Sequence, residues 1–153
     1  VQQIVRLGLV GRFLWCMIRQ EQAVKLGRTD IEIVDDRTEP PGTIYHHALL
    51  ELKILRSFGS TGTPVTQEVL ERHILDGVNQ AHSYGDTHNS LLRMLCCFDM
   101  RKADIGDSVT FAHVSNLAKD LNVSLRRWYL YHSSKALREA NADAKVSTVG
   151  GAP

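Results

Sequence analysis

Long apolar runs are missing from this sequence. Nowhere do about 18 apolar residues stand together, the length a membrane-spanning helix needs. The most apolar N-terminal stretch is interrupted by Arg6, Arg12 and Arg19 and has no small-residue cleavage site, which argues against a secretory signal. Also absent are a glycine-rich nucleotide loop ending in lysine, a Gly-x-Ser-x-Gly elbow and a His-Glu-x-x-His pair, so the commonest NTPase, serine hydrolase and zinc protease signatures are excluded. Cysteine is scarce and odd in number: Cys16, Cys96 and Cys97. Adjacent cysteines rarely close a strain-free disulfide, and all three sit among apolar neighbours. They read as small buried hydrophobes of an intracellular, reducing setting, an organelle or virion included.

Of the seven histidines, five stand at 46, 47, 73, 82 and 88, and none is spaced as zinc ligands usually are, by a Cys-x-x-Cys or an i, i+4 histidine pair. Only folding could gather them with Asp86 or Cys96. No metal, no other cofactor and no catalytic residue is therefore expected from the sequence. Gly59-Ser60-Thr61-Gly62-Thr63 lacks a lysine and reads as a plain loop between helices.

What is present is an ordinary globular composition, 43% hydrophobic and 23% charged over 153 residues, the size of one domain. We place that domain at residues 1–140 and read the small, polar residues 141–153 as a disordered tail. The net charge is +1, unevenly distributed. Residues 1–28 and 113–153 are basic, and they flank an acidic stretch containing Asp30, Glu32, Asp35, Asp36 and Glu39. Such asymmetry steers a polyanion or organises self-association.

Apolar spacing predicts an all-α bundle of five or six helices with one short extended or hairpin segment near residues 30–45. Residues 3–26 read as a long helix, apolar on more than one side and capped by Gly27. Asp30-Ile31-Glu32-Ile33-Val34 alternates as a strand does, with a return strand at Thr43-Ile44-Tyr45. Residues 46–58 are read as a helix. Thr63 as N-cap and Pro64 at the first position start another, which runs to Tyr84; Gly77 within it signals a close contact or bend. Further helices are expected at 91–98, 109–121 and 125–140.

One stretch carries a recognisable pattern. In Leu117-Ala118-x-x-Leu121-Asn122-Val123-Ser124, followed by Trp128 and Tyr131, a small residue lets two helices approach and two apolar residues plug the angle between them. Asn122 stands at the left-handed turn position and Ser124 is placed to cap a second helix. Residues 113–131 resemble the helix-turn-helix of DNA-binding proteins, with asparagine where glycine is usual. The resemblance implies nucleic-acid contact through Arg126, Arg127, Lys135 and Arg138.

The leading functional expectation is a non-enzymatic structural or interaction protein, a homo-oligomer or a component docked on a protein partner, as viral structural proteins are. Val10, Phe13, Trp15 and Met17 form its contact surface. Nucleic-acid binding, in the manner of a nucleocapsid, is the alternative, and an enzyme with an unfamiliar site the third.

Overall fold

A computed structural model describes residues 1–24, 27–37, 42–131 and 133–139. The elements follow in the order α1 (Gln2–Arg12), β1 (Met17–Val24), β2 (Gly27–Asp35), β3 (Tyr45–Arg56), α2 (Gln67–Thr87), β4 (Leu92–Met100), α3 (Gly106–Thr110), α4 (Ser115–Asp120) and β5 (Ser124–Tyr129). The strands form one five-stranded sheet in sequential order. β1, β2 and β3 are antiparallel neighbours, while β4 and β5 add in parallel through the α2 and the α3–α4 crossovers.

The expected all-α bundle is therefore corrected to an α/β fold with a mixed sheet. The reason is physical. β3 and β4 are inner strands covered on both faces, so apolar residues fall on both: Ala48-Leu49-Leu50 in β3 and Met94-Leu95-Cys96-Cys97-Phe98 in β4 are continuous apolar stretches, which periodicity alone does not separate from a buried helix. The long first helix also fails: α1 stops at Arg12, and Met17–Val24 is an edge strand. The strand expected at 30–34 exists as part of β2 and pairs with the start of β3. The third expected helix exists as α2, but Thr66 rather than Thr63 caps it, its hydroxyl accepting the Val69 N–H at 3.3 Å. Pro64 lies outside the helix in an isolated bridge to Phe58. The expected tail, residues 141–153, lies outside the described residues.

Side-chain alternation assigns each face of the sheet its own core. On one face Leu49, Leu55, Leu95, Cys97 and Val123 pack under Leu70, Ile74, Val78 and Ala81 of α2 and under Phe111, Val114 and Ala118. On the other, Ile18, Ile31, Ile33, Ala48, Leu50 and Cys96 meet Val5 and Leu9 of α1. The second cover is thin. No residue of α1 is fully buried, and an apolar cavity of about 880 Å³ remains between α1 and the sheet, lined by Leu9, Phe13, Leu50, Cys96 and Trp128 among others. Cys96 and Cys97, adjacent in a strand, point to opposite faces. Burial pushes both thiols up to about 12, so neither is a nucleophile near neutral pH.

Candidate functional site

The β2–β3 ladder ends at the Ile31↔Leu50 pair, and beyond it the strands separate. Asp30 bridges the opening. Its Oδ2 accepts the Leu52 N–H at 2.8 Å, replacing a ladder hydrogen bond, and its backbone oxygen accepts Gln2 Nε2 at 2.8 Å. Opposite, Glu51 and Lys53 project from β3 toward α2, on the face opposite to Leu50 and the apolar cavity. Lys53 Nζ donates to Glu51 Oε1 at 2.7 Å and to Gln80 Oε1 at 2.6 Å.

α2 is shaped to admit this lysine. Gly77 and Gln80 lie three residues apart on one helical stripe, and the Lys53 stem passes over Gly77: a Cβ there would stand 3.0 Å from Lys53 Cε and 2.7 Å from Leu95 Cδ1. The close contact expected at Gly77 is thus present, and its partner is a lysine stem and a core leucine.

The electrostatics distinguish the cluster from an ordinary ion pair. Glu51 is 4% exposed, and its Oε2 is buried without a hydrogen-bond partner. Burial raises its carboxyl above the ordinary range; the hydrogen bond and charge of Lys53 oppose this, and the negative charge of Asp30 adds to it. Burial also lowers the His73 imidazole, with the Lys53 ammonium acting in the same direction. Two carboxylates, one with an unused buried oxygen, therefore share a notch with an ammonium. Carboxylate oxygens of this kind suit a hard divalent cation such as Mg²⁺, which is commonly bound through one or two carboxylates and completed by water and phosphate.

The sequence-level site residues fall elsewhere. The second helix of the helix-turn-helix resemblance is the strand β5, a correction that removes the motif; only the first helix, α4, and the left-handed Asn122 (φ 52°) are there. As strand neighbours, Arg126 and Arg127 point to opposite faces. Arg126 is exposed, whereas Arg127 is half-buried, its side chain only 4% exposed, and donates to Asp107 at 2.9 Å, Asp99 at 2.7 Å and Asp104 at 2.5 Å. Lys135 and Arg138 are exposed on a short helical segment at 134–139. Trp128 stacks on Phe98, its partner across the β4–β5 ladder, with ring centroids 5.3 Å apart. Val10, Phe13, Trp15 and Met17 are exposed, 41% or more in each case. The Gly59–Thr63 loop spends two amides on itself, Gly59 N–H to Thr63 O and Gly62 N–H to Gly59 O.

Sequence reasoning passed over Asp30, Glu51 and Lys53. A signal existed in Ala48-Leu49-Leu50-Glu51-Leu52-Lys53-Ile54-Leu55, where two opposite charges stand inside a run otherwise fit for a core. Burying such charges is costly unless they are paired or coordinate a metal. Read as a helix, the run spread those charges around a cylinder; read as a strand, it puts both on one face.

Comparison of the chain with protein-family models, with curated proteins and with solved structures gives no match. Among the described residues, no helix is long and apolar enough to cross a membrane.

Proposed function

We propose that this chain hydrolyses phosphodiester bonds of nucleic acid with a divalent cation held by Asp30 and Glu51. The observation that carries the reading is the convergence of Asp30, Glu51 and Lys53 where β2 and β3 part, with a buried Glu51 oxygen left over. The cation would offset the charge of the phosphoryl group and orient it. The Lys53 ammonium, held by Glu51 and Gln80, supplies a second positive charge for the non-bridging oxygens as negative charge builds up on them. Water attacks phosphorus and one P–O ester bond breaks. The leaving oxygen departs as a hydroxyl, having gained a proton, and the other product is a phosphomonoester. What favours a nucleic acid over a small phosphoester is the basic α1 on the other face of the sheet beside Asp30; α2, which covers Glu51 and Lys53, is acidic, with Glu68, Glu71, Asp76 and Asp86 against Arg72. α1, whose Gln2 touches Asp30, carries Arg6 and Arg12 and no acidic residue, and exposed Arg56 lies three residues beyond Lys53 on β3.

The test is incubation of single- and double-stranded DNA and RNA with the purified chain in Mg²⁺, in Mn²⁺ and in EDTA, alongside Glu51→Gln and Lys53→Ala. Cation-dependent cleavage that both variants lose is the expected result. Absence of cleavage for every substrate, or cleavage undiminished in both variants, sinks the reading.

Self-association is a second reading, favoured by the exposure of Val10, Phe13, Trp15 and Met17 beside a helix that buries none of its residues. Light scattering after gel filtration tests it: a mass above the monomer is expected, and a monomer at every concentration discards it.

A further inference from the structure

A second cluster lies on the same face of β2, one pleat beyond Asp30. Glu32 is 1% exposed, and neither of its carboxylate oxygens makes a hydrogen bond of acceptable geometry. Two imidazoles converge on Oε1, His88 Nδ1 at 2.5 Å and His46 Nδ1 at 3.4 Å. The two Nδ1 atoms are 3.2 Å apart, with the rings edge to face. The three ligating atoms lie within 4.8 Å of one another.

The backbone is built to bring these groups together. Along β3, His46 would by simple alternation share a face with Ala48 and Leu50, the side away from Glu32. The β2–β3 register shifts instead between Ile33 and Val34, so that Ile33 faces Ala48 while Val34 faces His46. The extra residue, His47, takes a place on the wall of the apolar cavity, and His46 turns to the Glu32 side. Re-aiming a side chain in this way is what a β-bulge does. His88 is brought in as the C-cap of α2. The left-handed Asn89 (φ 50°) follows it, and the Leu91 N–H then donates to the His46 oxygen at 3.1 Å, tying the end of the helix to the bulge.

We propose that Glu32, His46 and His88 form a binding site for a zinc-class divalent transition ion, separate from the Asp30–Glu51 notch. Two imidazole nitrogens and one carboxylate oxygen are a common zinc donor set. Bonds of 2.0–2.1 Å in a tetrahedron set donors roughly 3.3 Å apart, and two of the three separations here are 3.2 and 3.4 Å. A cation also answers the otherwise unexplained feature, a carboxylate sealed from water with one oxygen lacking any partner. The site differs from the notch in its ligands: nitrogen donors select zinc-class ions, and all-oxygen donors select magnesium. Bound there, the ion would fasten the β2–β3 bulge to the end of α2.

The experiment is titration of chelator-treated full chain with Zn²⁺ by calorimetry, together with cobalt(II) substitution followed by absorption spectroscopy. One ion per chain is expected, with the intense visible bands of a four- or five-coordinate N/O site and no sulfur charge-transfer band. His88→Ala and Glu32→Gln should each weaken Zn²⁺ at least about 100-fold, more than loss of a supporting hydrogen bond to a ligand costs. Glu51→Gln should leave Zn²⁺ affinity within about threefold, since its side chain is not a ligand here. Should the variants misfold, the wild-type cobalt spectrum and the ring-nitrogen NMR shifts of His46 and His88 decide alone. No stoichiometric uptake, a six-coordinate cobalt spectrum, unshifted imidazole nitrogens, or Zn²⁺ lost with Glu51→Gln but kept by His88→Ala would each overturn the site.

Discussion

Glu51 and Asp99 are both buried carboxylates on the α2 side of the sheet, each beside a cation, yet they are left in different states. Asp99 is saturated. Its Oδ1 accepts the backbone N–H and Nε of Arg101, and its Oδ2 accepts one nitrogen each from Arg101 and Arg127. Arg127 in turn uses all three of its nitrogens on Asp99, Asp104 and Asp107. Burial alone would raise the Asp99 carboxyl; the hydrogen bonds from Arg101 and Arg127 outweigh it and hold it below its ordinary value. Glu51 has one cationic partner, an idle buried oxygen and a raised carboxyl. A carboxylate with both oxygens fully engaged supports structure, whereas one with an unused buried oxygen keeps capacity for a ligand.

The sharpest way to break this contrast is to remove charge from each cluster in turn. Lys53→Ala or Glu51→Gln should lower cleavage at least about 100-fold, the scale of losing one transition-state contact, with a cooperative unfolding transition retained. Initial rates on a nucleic-acid substrate and circular dichroism check both halves. Arg127→Ala should do the converse. It strips one of two cations from buried Asp99 and should cost about 3 kcal/mol in urea denaturation. Asp104 and Asp107 are 43% and 64% exposed and add little to that. A loss below about 1 kcal/mol would mean that Arg101 alone satisfies Asp99.

Gly77→Ala probes how closely the helix must approach the lysine. Overpacking of about 1–3 kcal/mol, offset by about 1 kcal/mol of helix propensity, leaves a net loss of about 1 kcal/mol. Cleavage should fall with it, because the Lys53 stem must move. A stabilised variant of undiminished rate would detach Lys53 from the chemistry. The smallest effect concerns acid. Because Asp99 is held below its ordinary 3.8, it contributes stability that is fully present above that value and is lost as the pH falls through the lower, folded one. Wild-type stability should therefore decline from about pH 4 downward more steeply than that of Asp99→Asn; parallel curves would remove Asp99 from the acid limb.

The legible parts of the fold were those whose period survives solvent exposure on one side. α2 has polar residues on its outer face and Leu70, Ile74, Val78 and Ala81 within, so the 3.6-residue repeat stood out. Residues 30–34 of β2 alternate and were legible for the same reason, as was Asn122, which takes the left-handed conformation its side chain tolerates. β3, β4 and β5 were misread because their apolar residues fall on both faces of the sheet, which masks the two-residue alternation. The charged residues among them find partners only in the folded chain: Glu51 with Lys53, and Asp99 with Arg127.

The sequence by itself determined a supply of core-forming residues, the absence of a membrane-spanning run, the burial of Cys96 and Cys97 and the helix carrying Gly77. Only the tertiary structure decided which charges meet. Asp30 and Glu51 stand 21 positions apart and His46 and His88 stand 42 apart. Their meeting depends on where the β2–β3 ladder ends, on one bulge at His47 and on how the end of α2 turns back toward β3. Those are long-range pairings, set by the packing of strands against a helix, and no local propensity encodes them.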